Sequence, residues 1–322
     1  MVAIGAELNR VKLESLDGKL DSSRAIDYDL LIAVLGFEHR CTFVPNYLQG
    51  RAREVRVAAF TNRRELSFSA NESWFTRRRH RIDDVPEHEF GSWFVESVAM
   101  LTHGSERAHI CIDISSMSRL RIARCVEALL VRNWGTPEVT VDFLYAPARY
   151  SKPGLQGPIV VADPVIPGFA GWAIEPEKPV FALLGLGTEP EKAIGVLDFL
   201  DVGAVWLFVP TGIDYRYDRD VSKSNASLFE IVPFPNVVKY SVLRPFETLR
   251  VMESLLYGVL PSSRPVLIPL GPKILALDAL VCAALHQPNV PVWRVSSAEY
   301  QEPRDRFASG SLCGLRVTFV RP

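Results

Sequence analysis

Short runs of apolar and β-branched residues recur along the chain, and stretches with helical periodicity separate them. Runs of this kind predict strands that are buried in a sheet. In the first half they lie at residues 29–35, 55–61, 109–114 and 139–146, and in the second half at 180–186, 204–211, 265–269 and 290–295. Because strands alternate with helices, the pattern predicts an α/β fold whose sheets are mostly parallel.

The two halves repeat the same order of predicted elements. Gly36 and Gly187 each follow the first strand of their half, and Arg119 and Lys273 each end a loop that leads into a long apolar helix. The repeat predicts two tandem Rossmann-like domains that arose by internal duplication; the alternative is an order that unrelated α/β domains share. The predicted organisation is an N-terminal extension (1–26), Rossmann-like domain 1 (27–150), a Pro- and Gly-rich linker (151–177) and Rossmann-like domain 2 (178–322).

Composition narrows the class of protein. The length of 322 residues fits roughly two domains, and 48% hydrophobic residues exclude a disordered chain. The net charge of -1 argues against a general nucleic-acid coat, and no apolar run reaches the ~20 residues that span a bilayer. The five cysteines include no C-x-x-C pair and are expected to be inert core thiols. The sequence therefore predicts a cytoplasmic protein with no membrane contact, no metal and no cofactor.

The loops that follow the first strand of each half are candidate ligand sites. In an open parallel sheet, ligands bind beyond the carboxyl ends of the strands, where the strand order reverses. A glycine there permits close approach of the backbone, and the start of the next helix presents N–H groups to an anion. The predicted ligand-binding residues are Gly36 and Glu38 in the first half and Gly187, Thr188 and Glu189 in the second. The alternative is that these glycines only form tight turns.

A later loop in each half places small or hydroxyl residues, and then one cation, before an apolar helix. Such residues can hold phosphate or ribose oxygens, and a cation in the first helical turn opposes the helix dipole unless an anion is present. The alternative is a serine N-cap followed by a solvated cation. The predicted ligand-binding residues are Ser115, Ser116, Ser118 and Arg119 in the first half and Gly271 and Lys273 in the second. No P-loop, G-x-S-x-G or H-E-x-x-H motif occurs, so no catalytic residue is predicted.

The stretch Arg51–Arg81 contains nine arginines interleaved with aromatic residues. Arginines hold phosphates and aromatic rings stack on bases, so the stretch is a candidate nucleic-acid contact. A contact with a protein partner and a plain solvated surface are the alternatives. The candidate contact residues are Arg63, Arg64, Trp74, Arg77, Arg78, Arg79 and Arg81.

Two motifs of the second half resemble those of a known family. The turn Gly187–Pro190 and the loop Leu270–Lys273 resemble the CRISPR-associated Rossmann-fold (CARF) sensor domains, and the tandem arrangement resembles their fused relatives, the SAVED domains. The loop Asp113–Arg119 is similar to a degraded form of the same loop. Those families bind cyclic or linear oligonucleotide second messengers between paired units and usually activate an effector.

The resemblance implies a sensor that binds a nucleotide-like anion between its two halves and signals to a separate effector protein, as in bacterial defence systems. Two other functions stay open. One is a metal-independent phosphodiesterase, similar to a ring nuclease, that cleaves such a ligand. The other is a non-catalytic structural subunit of a nucleic-acid-associated defence complex.

Overall fold

The structure is a computed structural model that describes residues 10–17, 27–102, 105–154, 159–171, 175–296 and 303–320. The chain forms two compact units. Unit 1 contains the segments Met1–Arg149 and Pro303–Pro322, and unit 2 is Tyr150–Glu302. Unit 2 is therefore inserted into the sequence of unit 1.

The elements are numbered in chain order. The strands are β1 (Arg10–Ser15), β2 (Tyr28–Leu35), β3 (Ala52–Ala59), β4 (Arg81–Asp84), β5 (Arg107–Asp113), β6 (Glu138–Tyr145), β7 (Val161–Pro164), β8 (Val180–Gly185), β9 (Ala204–Thr211), β10 (Val237–Ser241), β11 (Arg264–Pro269), β12 (Trp293–Ser296) and β13 (Cys313–Val320). The helices are α1 (Phe43–Tyr47), α2 (Phe68–Arg77), α3 (Phe90–Thr102), α4 (Arg119–Val131), α5 (Lys192–Phe199), α6 (Tyr215–Ser224), α7 (Ala226–Ile231), α8 (Pro245–Val259) and α9 (Lys273–Leu285).

Unit 1 is built on a seven-stranded sheet in the order β1-β13-β6-β5-β2-β3-β4. The five strands from β2 to β6 are parallel, and the central strand β2 is buried almost throughout. Their spatial order is third, second, first, fourth, fifth, which is the Rossmann order with a switch point between β2 and β5. Strand β13 pairs antiparallel with β6, and β1 pairs antiparallel with β13.

Unit 2 has a four-stranded parallel sheet in the order β10-β9-β8-β11. This is the same third, second, first, fourth order, with the switch point between β8 and β11. The predicted closing strand at 290–295 does not join this sheet beyond one bridge between Val292 and Leu267. Pro291 has no N–H to donate to a ladder, and β12 pairs instead with β7. The predicted α/β fold with mostly parallel sheets is confirmed.

The structure places the domain boundaries differently from the prediction. Strand β1 lies within the predicted extension 1–26, and β13 within the predicted domain 178–322, yet both belong to the sheet of unit 1. Strand β7 lies within the predicted linker 151–177 and pairs inside unit 2. These differences arise because local patterns do not reveal pairing between distant segments. Residues 1–9, 18–26, 155–158 and 172–174 of the predicted segments lie outside the described residues.

A buried carboxylate fixes the register of β13 on β6. Arg316 lies opposite Asp142, and its Nε and Nη2 donate to the two carboxylate oxygens at 2.6 and 2.7 Å. Tyr28 Oη also donates to Asp142, at 2.9 Å, and His109 Nε2 lies 3.2 Å from the same oxygen. Burial alone would raise the pKa of Asp142, but the hydrogen bonds from Arg316 and His109 outweigh it and hold the pKa below its usual range. A slip of one residue would leave this charge without its cation.

Replacing the cation tests this register lock. We expect Arg316→Leu to lower the free energy of unfolding at pH 7 by about 3–5 kcal/mol, because the Asp142 charge stays buried with only the Tyr28 and His109 contacts left to it. The double variant Asp142→Leu/Arg316→Leu is the control, and its free energy of unfolding should fall by less than that of Arg316→Leu. Since the pKa of Asp142 is depressed in the folded state, its stabilisation is present above roughly pH 4 and is lost as the pH falls below that value. Urea unfolding at pH 7 and pH 3 measures both effects, and an Arg316→Leu variant as stable as the wild type at pH 7 would contradict the lock.

Candidate functional site

The switch point of unit 1 brings together three of the predicted ligand residues. Strands β2 and β5 are neighbours, so the loops that follow them meet at the carboxyl edge of the sheet. Ser116 Oγ donates to Glu38 Oε2 at 3.5 Å. The carbonyl oxygens of Gly36 and Glu38 both accept from Asn71 Nδ2 at 3.0 Å. Gly36, Glu38 and Ser116 therefore lie at one place at this edge.

Cations of the chain itself neutralise the Glu38 carboxylate. Arg40, which is only 2% exposed, donates from Nε to Glu38 Oε2 at 2.8 Å. Its Nη1 also donates to the Ala146 carbonyl at 3.0 Å. Arg306 Nε lies 3.7 Å from Glu38 Oε1. Glu38 is thus engaged in an internal ion-pair network.

An internal carboxylate also lies where the first half was predicted to receive an external anion. Asp305 Oδ1 accepts from the backbone N–H of His39 at 2.7 Å, and its Oδ2 accepts from Ser67 Oγ at 2.5 Å. His39 begins the short 3-10 helix after β2, and Ser67 is the N-cap residue of α2. The segment at residues 303–308, here called the strap, therefore lies over the carboxyl edge of unit 1. The strap was not foreseen from the sequence.

Two predicted ligand residues serve the backbone instead. Ser115 is fully buried, and its Oγ accepts from the Ala146 N–H at 2.9 Å. Ser118 is the N-cap residue of α4, where its Oγ accepts from the Arg121 N–H at 3.0 Å and also contacts Glu87. The N-cap interpretation therefore describes Ser118, and Ser115 is too buried to reach a ligand.

Arg121 is a structural cation that the sequence reasoning missed. It is fully buried, and its Nη2 and Nη1 donate to the carbonyls of Val85 at 2.6 Å and Ala58 at 3.3 Å. Its Nε donates to Glu87 at 2.9 Å. It thereby ties β3 and the loop after β4 to α4, beside the predicted Arg119, which begins the helix and is half-buried. The only sequence signal is an arginine three residues after an N-cap serine.

The switch point of unit 2 brings its two predicted loops into contact. A Cβ built on Gly271 would lie 2.4 Å from the carbonyl oxygen of Leu186, which belongs to the loop after β8. A Cβ on Gly187 would lie 3.4 Å from the carbonyl oxygen of Leu270 and 2.2 Å from Glu189 Oε2. Gly187, Glu189 and Gly271 therefore lie together, and glycine is required at 271 because the other backbone is so close.

Two lysines begin the helices at this edge. Lys192 begins α5, is 7% exposed and places Nζ 4.0 Å from Glu189 Oε1. Lys273 begins α9 and is half-buried. The N-cap residue of α9 is Pro272, whose side chain makes no cap hydrogen bond, whereas the Ser118 side chain caps the equivalent helix α4 of unit 1. The start of α9 therefore combines an N-cap residue that cannot cap the backbone with a cationic side chain in the first turn.

Both units hold the first loop with a buried asparagine. Asn71 Nδ2 donates to the Gly36 carbonyl at 3.0 Å, and Asn225 Nδ2 donates to the Gly187 carbonyl at 2.9 Å. Each asparagine follows the second parallel strand of its unit and is less than 4% exposed. Thr188, next in the loop, accepts at its carbonyl from a serine hydroxyl at 3.0 Å. Sequence reasoning missed both asparagines because their partners lie 35 and 38 residues away.

The arginine-rich stretch covers α2 and the edge strand β4. Arg64 pairs with Asp84, and Arg81 Nε donates to Asp83 at 3.1 Å. The first pair joins the loop after β3 to β4, and the second joins two residues within β4. Two of the predicted contact residues are therefore engaged in surface ion pairs within unit 1.

Most of the remaining predicted contacts lie near the end of α2, whereas Arg63 lies in the loop before this helix. The guanidinium of Arg78 stacks on the Trp74 ring at 3.8 Å from its centroid. Arg77 and Arg79 are exposed, and Arg63 is half-buried with a positive φ of 55°. Cations at the end of a helix interact favourably with its dipole, which gives this cluster a structural explanation.

An unpartnered acid lies inside α9. Asp278 is 0% exposed, and neither of its carboxylate oxygens has a hydrogen-bond partner among the described residues. Burial raises the pKa of Asp278 well above its usual range, so the folded unit favours the protonated acid. Nothing in the apolar sequence around it distinguishes this aspartate from a solvated one.

Comparisons with known proteins place the chain in no family. No family model matches the sequence, and no curated protein matches it. A universal stress protein structure from Pseudomonas aeruginosa UCBPP-PA14 is similar at 9% identity, covering 83% of this chain and 92% of that one, with a TM-score of 0.23. The cytoplasmic domain of a prokaryotic cation chloride cotransporter is similar at 11% identity, covering 85% and 97%, also with a TM-score of 0.23. These scores are too low to support an argument, so the fold assignment rests on the strand order.

The described residues lack two features, a membrane-spanning helix and a metal-binding cluster. Within them, no helix combines the length and the apolar character needed to cross a bilayer. The same residues contain no group of three or more His, Cys, Asp or Glu side chains placed to hold a metal ion. All five cysteines are buried free thiols, as predicted.

The close approach of the two loops in unit 2 is tested by adding one methyl group. We expect Gly271→Ala to lower the free energy of unfolding by about 1–3 kcal/mol, because the new Cβ meets a backbone oxygen that cannot rotate away. Gly258→Ala in α8 is the control, since a Cβ there meets nothing within 4 Å. The free energy of unfolding of that variant should increase by about 0.5–1 kcal/mol, because alanine favours a helix more than glycine does. Thermal and urea unfolding measure both, and a neutral Gly271→Ala would show that the loops are not in contact.

The buried acid predicts a pH dependence of stability. Because the pKa of Asp278 is raised in the folded state, wild-type stability should fall as the pH rises above roughly pH 4, by up to about 1.4 kcal/mol per pH unit, until the raised pKa is reached. An asparagine at position 278 has nearly the same shape as aspartate but does not ionise. The free energy of unfolding of Asp278→Asn should therefore lack this fall with rising pH. Unfolding curves between pH 4 and pH 8 compare the two proteins. If the free energies of unfolding of the two proteins changed in parallel with pH, the pKa of Asp278 would not be raised by burial.

Proposed function

We propose that the carboxyl edge of unit 2 binds a nucleotide-like anion and that the protein is a sensor which reports the bound state to a separate effector. The contacts between the loops at 186–189 and 270–273 support this proposal, because they place two glycines and two lysine-started helices at one switch point. Such a crevice is where open α/β sheets bind ligands.

The observation on which the proposal rests is the contrast between the two edges. At the edge of unit 1, Asp305 accepts from His39 and Ser67, and Ser118 caps α4. At the edge of unit 2, α9 begins with Lys273, and its N-cap residue Pro272 makes no side-chain cap. A lysine in the first turn opposes the helix dipole, and an anionic ligand would offset that cost.

The residues at this edge suit a nucleotide better than a bare anion. The first N–H groups of α9 and Lys273 would hold a phosphate, and the Glu189 carboxylate would accept from a ribose hydroxyl, as acidic residues do in dinucleotide sites. Glu189 would repel an anion placed directly on it, so the phosphate belongs on the α9 side. A cyclic or linear oligonucleotide has both groups and is the ligand class we propose.

Internal duplication would explain why the two units share one strand order and similar loops, although only one of them is proposed to bind a ligand. The shared strand order and the paired asparagines Asn71 and Asn225 support a common origin. In this account, unit 1 has lost the open site and unit 2 has kept it. The buried free thiols fit a reducing, cytoplasmic location.

Binding without cleavage is favoured by the state of the loop hydroxyl. Among the described residues, the Thr188 hydroxyl makes no hydrogen bond to a histidine or a carboxylate that would activate it as a nucleophile. The closed edge of unit 1 favours one other function, a non-catalytic structural subunit in which both sites are lost. A phosphodiesterase is a third outcome that the experiment below detects.

The test is titration of a panel of cyclic and linear oligonucleotides by calorimetry, with analysis of the products. We expect Lys273→Ala to weaken binding by roughly ten- to a hundredfold, since a hydrogen bond to a charged group is lost. Arg119→Ala, at the equivalent position of unit 1, is the matched control and should leave affinity unchanged. Glu189→Gln should weaken the binding of nucleotides more than the binding of inorganic phosphate, which has no ribose hydroxyl.

The other outcomes separate the alternatives. Equal affinities of the wild type and a folded Lys273→Ala variant would exclude this site. Absence of binding by every oligonucleotide would favour the structural subunit, and appearance of shorter products would favour the phosphodiesterase.

A further inference from the structure

We propose that the strap, residues 303–308, is a displaceable internal ligand that closes the carboxyl edge of unit 1. In this role the strap competes with an external mononucleotide-like group for the same contacts. The proposal concerns unit 1 alone and does not depend on the site proposed for unit 2.

The first component of the internal ligand is an anion. Asp305 lies between the starts of two helical segments and accepts from the His39 N–H and the Ser67 hydroxyl. Ser67 is the N-cap residue of α2, yet its hydroxyl donates to Asp305 instead of capping its own helix. The groups that would receive a phosphate after the first and second parallel strands are therefore occupied by one carboxylate.

The second component is an aromatic ring. Phe307 stacks on His39 with ring centroids 4.6 Å apart and an angle of 28° between the planes. Phe307 is nevertheless 48% exposed, so its position is not that of a core residue. A carboxylate and a stacked ring two residues apart offer the same two chemical features as the phosphate and base of a nucleotide.

The two ends of the strap are held by different kinds of contact. Towards β13, the Phe307 carbonyl accepts from the Arg149 N–H at 2.8 Å, and Ala308 bridges antiparallel with Ala148. Towards its start, the Asp305 carboxylate accepts two hydrogen bonds and the Arg306 carbonyl accepts from the backbone N–H of residue 40 at 2.9 Å, and neither residue belongs to a strand. Opening of the start therefore breaks no strand pairing and leaves β13 in place.

The charges at the edge allow this opening. Arg306 is 44% exposed and lies 3.7 Å from Glu38, a weak and solvated pair. When the strap leaves, Glu38 keeps the buried Arg40, so no uncompensated charge remains. The His39 N–H, the Ser67 hydroxyl and the His39 ring face are then available to an anion that has an aromatic group.

Hydrogen exchange on the wild-type protein is the first test. The backbone amides of His39 and Arg40 donate to the strap, so they should exchange through local opening. We expect them to exchange at least tenfold faster than the amides of the buried strand β2. Equal rates would mean that the strap opens only when unit 1 unfolds, which would overturn the proposal.

Binding of AMP is the second test, with Lys273→Ala as the background so that unit 2 does not contribute. In that background, Asp305→Ala should increase AMP affinity by roughly ten- to a hundredfold, the effect of removing a competing charged hydrogen bond. Asp163→Ala, the same change at an exposed position of β7, is the matched control and should have no effect. The affinity for inorganic phosphate should increase less than the affinity for AMP in the Asp305→Ala variant, because phosphate cannot stack on His39.

The AMP titration and the exchange rates can each overturn the proposal that the strap is displaceable. A folded Asp305→Ala variant that binds AMP no better than its background overturns the proposal. If the variant does not fold, the exchange rates of His39 and Arg40 in the wild type decide the question on their own.

Discussion

The pairing of β13 with β6, locked by Arg316 on the buried Asp142 carboxylate, is the constraint on which the architecture depends. The two strands are adjacent in the sheet of unit 1 but are separated in sequence by the whole of unit 2. The chain must therefore return from unit 2 to the edge of β6. The returning residues are the strap, and this is why a C-terminal segment lies over the loops of the first strands.

The consequence is an asymmetry between two edges that share one strand order. In unit 1, the returning chain brings Asp305 to the place where a Rossmann-like sheet binds anions. In unit 2, the N-cap residue of α9 is Pro272, which makes no side-chain cap, and Lys273 stands in the first turn. Under the proposed function, the similar loops therefore have different roles, because one edge holds a carboxylate of the chain itself and the other binds an external ligand.

Much of the fold could be predicted because it depends on local patterns. The apolar runs that became β2, β8 and β9, and the helical patterns of α3 and α9, each satisfy a period that is visible within a dozen residues. The meeting of Glu38 with Ser116, and of Gly187 with Gly271, followed from the rule that loops gather at the switch point.

The rest depends on contacts between distant residues. Neither the return of β13 to β6 nor the position of Asp305 on His39 leaves a local signal, since the partners of that last contact are 266 residues apart. For Ser115 and Ser118, the sequence left the choice between a structural and a ligand-binding role open for a different reason. A serine before a helix has the same local signature whether its hydroxyl caps the backbone or binds a ligand, and only the structure shows which donor it serves.

Under the proposed function, the two edges differ in their availability to a ligand. This difference is measured by a crystal structure of the protein with a bound oligonucleotide, at a concentration near half-saturation. We expect phosphate density at the first N–H groups of α9 beside Lys273, with Asp305 still bonded to His39 and Ser67. Phosphate density at His39 and Ser67, with the start of α9 empty, would contradict it.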